Sequence, residues 1–152
     1  MPTVNQNPYA PPLAAVSDPL APTALRLHSF GAIVIAAFFG GAIAAGYLAF
    51  LNFRLVGQPK RAVHALAAFT IGGLIALYVA WHTPPDFLSF QLSVGIPQLI
   101  ASCLAAWYLQ GSLLNGHRSF GGAFRSKWFA FGIALLCNAS INLLFYALHS
   151  FL

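Results

Sequence analysis

Charge is scarce in this chain: 6% of its 152 residues are charged, 59% are hydrophobic, and the mean hydropathy is +0.77. A soluble domain keeps about a quarter of its residues charged to hydrate its surface, so lipid is the expected solvent for most of this one. Acids are rarer still. Asp18 and Asp86 are the whole supply, and neither lies in an apolar run. Proton-coupled transporters generally load their proton on a carboxylate at membrane depth, so coupled transport by this chain alone is disfavoured. Only two cysteines occur, Cys103 and Cys137, both inside apolar runs, and they form no disulfide framework. No G-x-S-x-G, P-loop, paired-carboxylate or zinc signature is present, so the reading is of a non-enzyme with no cofactor.

What the chain has is uncharged apolar length. Spans are predicted at about 29–51, 62–81, 88–109 and 128–148, each near the ~20 residues that cross ~30 Å of hydrocarbon. The expected fold is an all-α membrane protein, four transmembrane helices bundled in a 28–152 domain. A disordered tail, 1–27, precedes it, with prolines at Pro2, Pro8, Pro11, Pro12, Pro19 and Pro22 that favour extended backbone. That tail lacks the basic start of a signal peptide. The turn His82–Asp86 contains two prolines that cannot continue a helix, and Pro97 lies inside the third span.

The net charge of +5 does not indicate nucleic acid, because the basic residues sit in short loops where they report topology. Arg54, Lys60, Arg61, Arg118, Arg125 and Lys127 fall at loops 52–61 and 110–127, with Arg26 alone on the other side. The positive-inside rule then places both loops in the cytoplasm and both termini outside.

Two polar stripes interrupt the apolar runs. Gln91, Gly95, Gln98 and Ser102 share one face of the third span, and Ala134, Asn138 and Asn142 one face of the fourth. An amide without a partner in hydrocarbon costs several kcal/mol, so both stripes turn inward. They serve either as hydrogen-bonding glue between helices or as a polar path or binding site. Small residues line the first two spans, among them Ala36, Gly40, Gly41, Gly72 and Ala76, and rows of this kind let helices approach closely. His28, His82 and His149 are placed near the outer ends of three spans, but no short-range ligand spacing accompanies them, and interfacial anchoring accounts for them without a metal.

The opening Asn7-Pro8-Tyr9-Ala10-Pro11-Pro12, followed by Phe38-Phe39-Gly40-Gly41 and Asn52-Phe53-Arg54-Leu55-Val56-Gly57-Gln58-Pro59, resembles a set of small uncharacterised proteobacterial inner-membrane proteins. That resemblance implies a bacterial inner membrane and implies no activity or site residues. The expected role is a non-enzymatic accessory or assembly subunit acting through helix packing. Its partners are the lipid bilayer and other membrane proteins, in a homo- or hetero-oligomer. The alternative is a passive conduit or small-molecule binder along the seam of Gln91, Gln98, Ser102, Asn138 and Asn142.

Overall fold

The structure, a computed structural model, describes residues 25–83 and 86–151, except for the side chains of residues 87, 145, 148, 149 and 151. The proline-rich segment expected at 1–27 therefore lies outside the described residues up to position 24. The described chain forms α1 (Phe30–Leu55), α2 (Pro59–His82), a short α3 (Phe87–Phe90), a π-helical turn (Gln91–Gly95), α4 (Ile96–Ser119) and α5 (Lys127–Phe151). Four of the helical segments have the length and apolarity to cross a bilayer.

The first does not use its length. Gly41 interrupts α1 with φ 71° and ψ −170°, and the chain doubles back on itself. Along a straight helix, positions 28 and 52 would be about 36 Å apart. Instead the His28 N–H donates to Asn52 Oδ1 at 2.7 Å, and Asn52 Nδ2 donates back to the His28 carbonyl at 2.9 Å. So α1 is a hairpin of two arms, residues 30–40 and 42–55, with its feet clamped together. Ser29 caps the first arm, its hydroxyl accepting from the Ala32 N–H at 3.2 Å. The small residues let the arms close: Ala32, Ala36, Ala44, Ala45, Leu48 and Ala49 are all fully buried.

This hairpin is the core of the fold. The other helices stand around it, and α1 packs against α5, α2 and α4. The first arm runs alongside α5, where a Cβ on Gly40 would lie 2.7 Å from the Ala134 backbone. The second arm runs back along α2, where Gly46 abuts Phe69 and Gly73 abuts Ile43. By contrast, no substantial packing joins α4 to α5 among the described residues, and the hairpin that packs against both stands between them. The arms rise only about 16 and 21 Å, short of the ~30 Å of hydrocarbon, so the tip at Gly41 stops partway along the bundle. There it meets Gln98, whose Nε2 lies 2.9 Å from where a Gly41 Cβ would be.

Three expectations are corrected. The first apolar run is a folded hairpin rather than a continuous span, because a glycine at its centre takes a conformation that other residues avoid. Consequently residue 28 sits beside Asn52 and Gln110, and Leu27 bridges to Phe124. Arg26 and His28 thus lie at the same end as both basic loops, not across from them. Finally, α4 continues to Ser119, well into the segment expected as a loop. The π turn before it has a local cause: Pro97 has no N–H to offer, and the Ile96 N–H reaches back five residues to the Gln91 carbonyl.

Candidate functional site

Beyond the hairpin tip, no central element fills the bundle among the described residues. The space there is a cavity of about 840 Å³, within the range of ligand pockets. Its floor is the tip, from Ala37 to Ile43. One wall is α2, through Gly73, Ala76, Leu77 and Ala80, and a second is the π turn and α4, through Gln91, Val94, Gln98 and Leu99. The third is α5, through Asn138, Ile141 and Asn142, and Thr83 and Asp86 stand at the mouth.

Four of the five residues of the expected seam thus line one cavity. Gln91, Gln98, Asn138 and Asn142 do so, whereas Ser102 is buried at 4% exposure and is not part of the lining. Asn138 Nδ2 donates to the Phe39 carbonyl at 3.0 Å, and Asn142 Nδ2 donates to Asn138 Oδ1 at 2.7 Å. The first bond explains the stripe on α5. A helix break leaves its last carbonyls without the N–H groups of a following turn, and Asn138 supplies one of the missing donors. The i, i+4 spacing finds these amides in the sequence and turns them toward each other or toward a small polar cavity. In the structure Asn138 bonds to the hairpin and Asn142 to Asn138, while Gln91 and Gln98 line the same cavity from another wall.

Of the small residues, Ala36 and Gly40 are buried between helices, Ala76 lines the cavity, and Gly41 forms the turn. Gly72 is exposed, with nothing within 4 Å of where its Cβ would be; its neighbour Gly73 makes the close approach instead. Cys103 and Cys137 are free thiols on helices that no substantial packing joins among the described residues.

At the mouth, the Ser89 N–H donates to Asp86 Oδ1 at 2.8 Å, and this bond with that from the Ser89 hydroxyl holds the Asp86 carboxyl below its ordinary range. The acid is therefore ionised at neutral pH.

At the opposite end lies a second polar cluster that the sequence pattern does not reveal. Asn52 Nδ2 also donates to Gln110 Oε1 at 2.8 Å, and Asn52, Gln110 and His28 are all fully buried. The His28 ring stacks on Phe129 at 5.5 Å, and neither ring nitrogen has a hydrogen-bond partner among the described residues. Burial, and to a lesser degree the positive Arg125, push its pKa from 6.5 down to about 4. The folded imidazole is therefore neutral where the unfolded one takes up a proton. His28's contribution is fully present above pH 6.5 and is lost as the pH falls toward about 4, at up to about 1.4 kcal/mol per pH unit. Unfolding in mixed micelles at stepped pH is expected to show this acid sensitivity in the wild type and its loss in His28→Phe; equal slopes would refute it.

The three histidines do not converge. His28 is at the basic end, His82 lies at the far end of α2 with Nδ1 2.9 Å from the Tyr78 carbonyl, and the side chain of His149 is outside those described. Among the described residues, no group of His, Cys, Asp and Glu is placed to hold a metal ion. Compared with family models, with curated proteins and with solved structures, the chain matches none.

Proposed function

We propose that the chain is a bacterial inner-membrane protein that receives a small molecule in the cavity above the hairpin tip. In this reading α2, α4 and α5 cross the bilayer, while α1 enters and leaves from one face. With Arg26 at the basic end, all seven Lys and Arg residues lie on one side, which the positive-inside rule makes cytoplasmic. The amino-terminal tail is then cytoplasmic, and the cavity opens toward the periplasm.

One observation carries the reading: the backbone of α1 breaks at Gly41, at the floor of a cavity lined by four carboxamides. A helix break at membrane depth is tolerated only where protein covers it or where it lines a polar cavity. Binding proteins and transporters place broken helices at such sites because the break presents free carbonyls and N–H groups together. A packing subunit would have no use for the break. The small residues that suggest packing are largely consumed within the hairpin and its contacts with α2 and α5. With no carboxylate, thiol or imidazole among the described lining residues below the mouth, the reading is of binding or passage rather than catalysis.

Water access tests it. In a background with Cys103→Ala and Cys137→Ala, a membrane-impermeant thiol reagent applied to the periplasmic face is expected to label Ala76→Cys in the cavity wall. Ile75→Cys, on the exposed face of the same helix turn, should react far more slowly, since a thiol in hydrocarbon does not ionise. Equal rates at the two positions would sink the proposal.

A further inference from the structure

The cavity also constrains its occupant. Below Asp86 none of its described lining side chains carries a charge. The two arms of α1 oppose their dipoles at the tip, the first ending in carbonyls and the second beginning in N–H groups, so the floor favours neither anion nor cation. Carboxamides add both donors and acceptors. A ligand matched to this floor is neutral and carries a donor and an acceptor together.

The walls require something else. Phe38, Phe39, Leu99 and Ile141 are apolar, and the cavity is too large for a solute the size of its polar floor. It is also incomplete on one side. Since no substantial packing joins α4 to α5 and the hairpin stops at the tip, nothing among the described residues closes the outer half of the gap between them. Asn138 and Asn142 are accordingly exposed although they line the cavity.

We infer, building on the binding reading above, that the ligand is a neutral amphiphile drawn from the bilayer. Its amide or alcohol head sits at the hairpin tip against Gln98 and Asn142, and its hydrocarbon body lies in the opening between α4 and α5. The head is thereby desolvated onto partners that replace its water, while the chain never leaves an apolar medium.

Three probes separate the elements of this inference: oleamide, oleyl sulfate with the same chain and a permanent charge, and acetamide with the same head and no chain. Each is added to the Ala76→Cys protein in lipid nanodiscs, and the rate of thiol labelling is followed; Ile141→Cys serves as a second reporter if Ala76→Cys folds poorly. Oleamide at about ten times its Kd is expected to slow labelling about tenfold, with little effect from the other two. Equal protection by oleyl sulfate would overturn the neutrality of the head, and equal protection by acetamide would overturn the need for a chain. Labelling that none of the three slows would overturn the ligand class and leave the cavity reading standing. No labelling at either reporter would remove both.

Discussion

Gly41→Ala is expected to destabilise the protein by about 1–3 kcal/mol, because the φ 71°, ψ −170° conformation is one that side chains other than glycine's avoid. The direction is the informative part. In a continuous helix the same substitution would stabilise by about 1 kcal/mol, since glycine is among the poorest helix formers. The added methyl would lie 2.9 Å from Gln98 Nε2, the far end of a flexible side chain, so the backbone conformation supplies most of the effect. At Gly40 the balance differs. There a methyl would meet Ala44 Cβ at 2.6 Å and the Ala134 Cα and carbonyl oxygen at 2.7 Å. Backbone atoms cannot swing away, so Gly40→Ala carries an overpacking cost of about 1–3 kcal/mol as well. Gly72→Ala is the control: nothing lies within 4 Å, and the result is neutral to about 1 kcal/mol stabilising. Unfolding by dodecyl sulfate in mixed micelles, followed by far-ultraviolet circular dichroism, orders the three variants. If Gly41→Ala and Gly72→Ala both stabilise, α1 is a straight helix and the hairpin is wrong.

The contrast between those glycines explains what is legible in the sequence. Length and apolarity mark the helices, and the i, i+4 spacing of Asn138 and Asn142 finds the polar face of α5. Neither reveals a reversal, because a run of apolar residues looks the same whether it crosses hydrocarbon once or enters it and returns. Gly40-Gly41 reads as a close-packing motif, and at Gly40 that is what it is; only φ distinguishes its neighbour. One signal is present in the charges. Arg26 is the single basic residue that a straight first span strands on the far side, and folding α1 back at Gly41 removes the exception. Gln110 escapes notice for another reason. Composition assigns it to a polar loop, whereas α4 extends to Ser119 and buries that amide against Asn52.

The two polar clusters stand at opposite ends of the hairpin and have different chemical characters. Around the tip, amides line open space and have bonding capacity to offer. At the feet, Asn52 is enclosed and its bonds are made within the chain. A polar group that lines a cavity can exchange partners with a ligand, whereas one sealed in the protein fixes a conformation. The floor of the cavity is held in place by this clamp, some distance from any ligand.

Asn52→Ala is therefore expected to have the largest single effect, at least about 3 kcal/mol. It leaves three buried groups unpartnered: the His28 N–H, the His28 carbonyl and Gln110 Oε1. Each such loss costs about 1–3 kcal/mol. Asn52→Asp tests the geometry more finely. The retained oxygen still accepts from the His28 N–H, but the replaced amide sets a carboxylate oxygen against two carbonyl-type oxygens that had been receiving hydrogen bonds. A comparable loss is expected at neutral pH, easing when the carboxyl is protonated and regains a donor. Gln110→Leu should be mild, about 1 kcal/mol or less. It removes one partner of Asn52, but it also removes a buried Nε2 that has no partner of its own. The same micelle titration reads all three. An Asn52→Ala variant no less stable than Gln110→Leu would mean that the feet of α1 are not joined by this residue, and the hairpin would have to be held by the packing of its alanines alone.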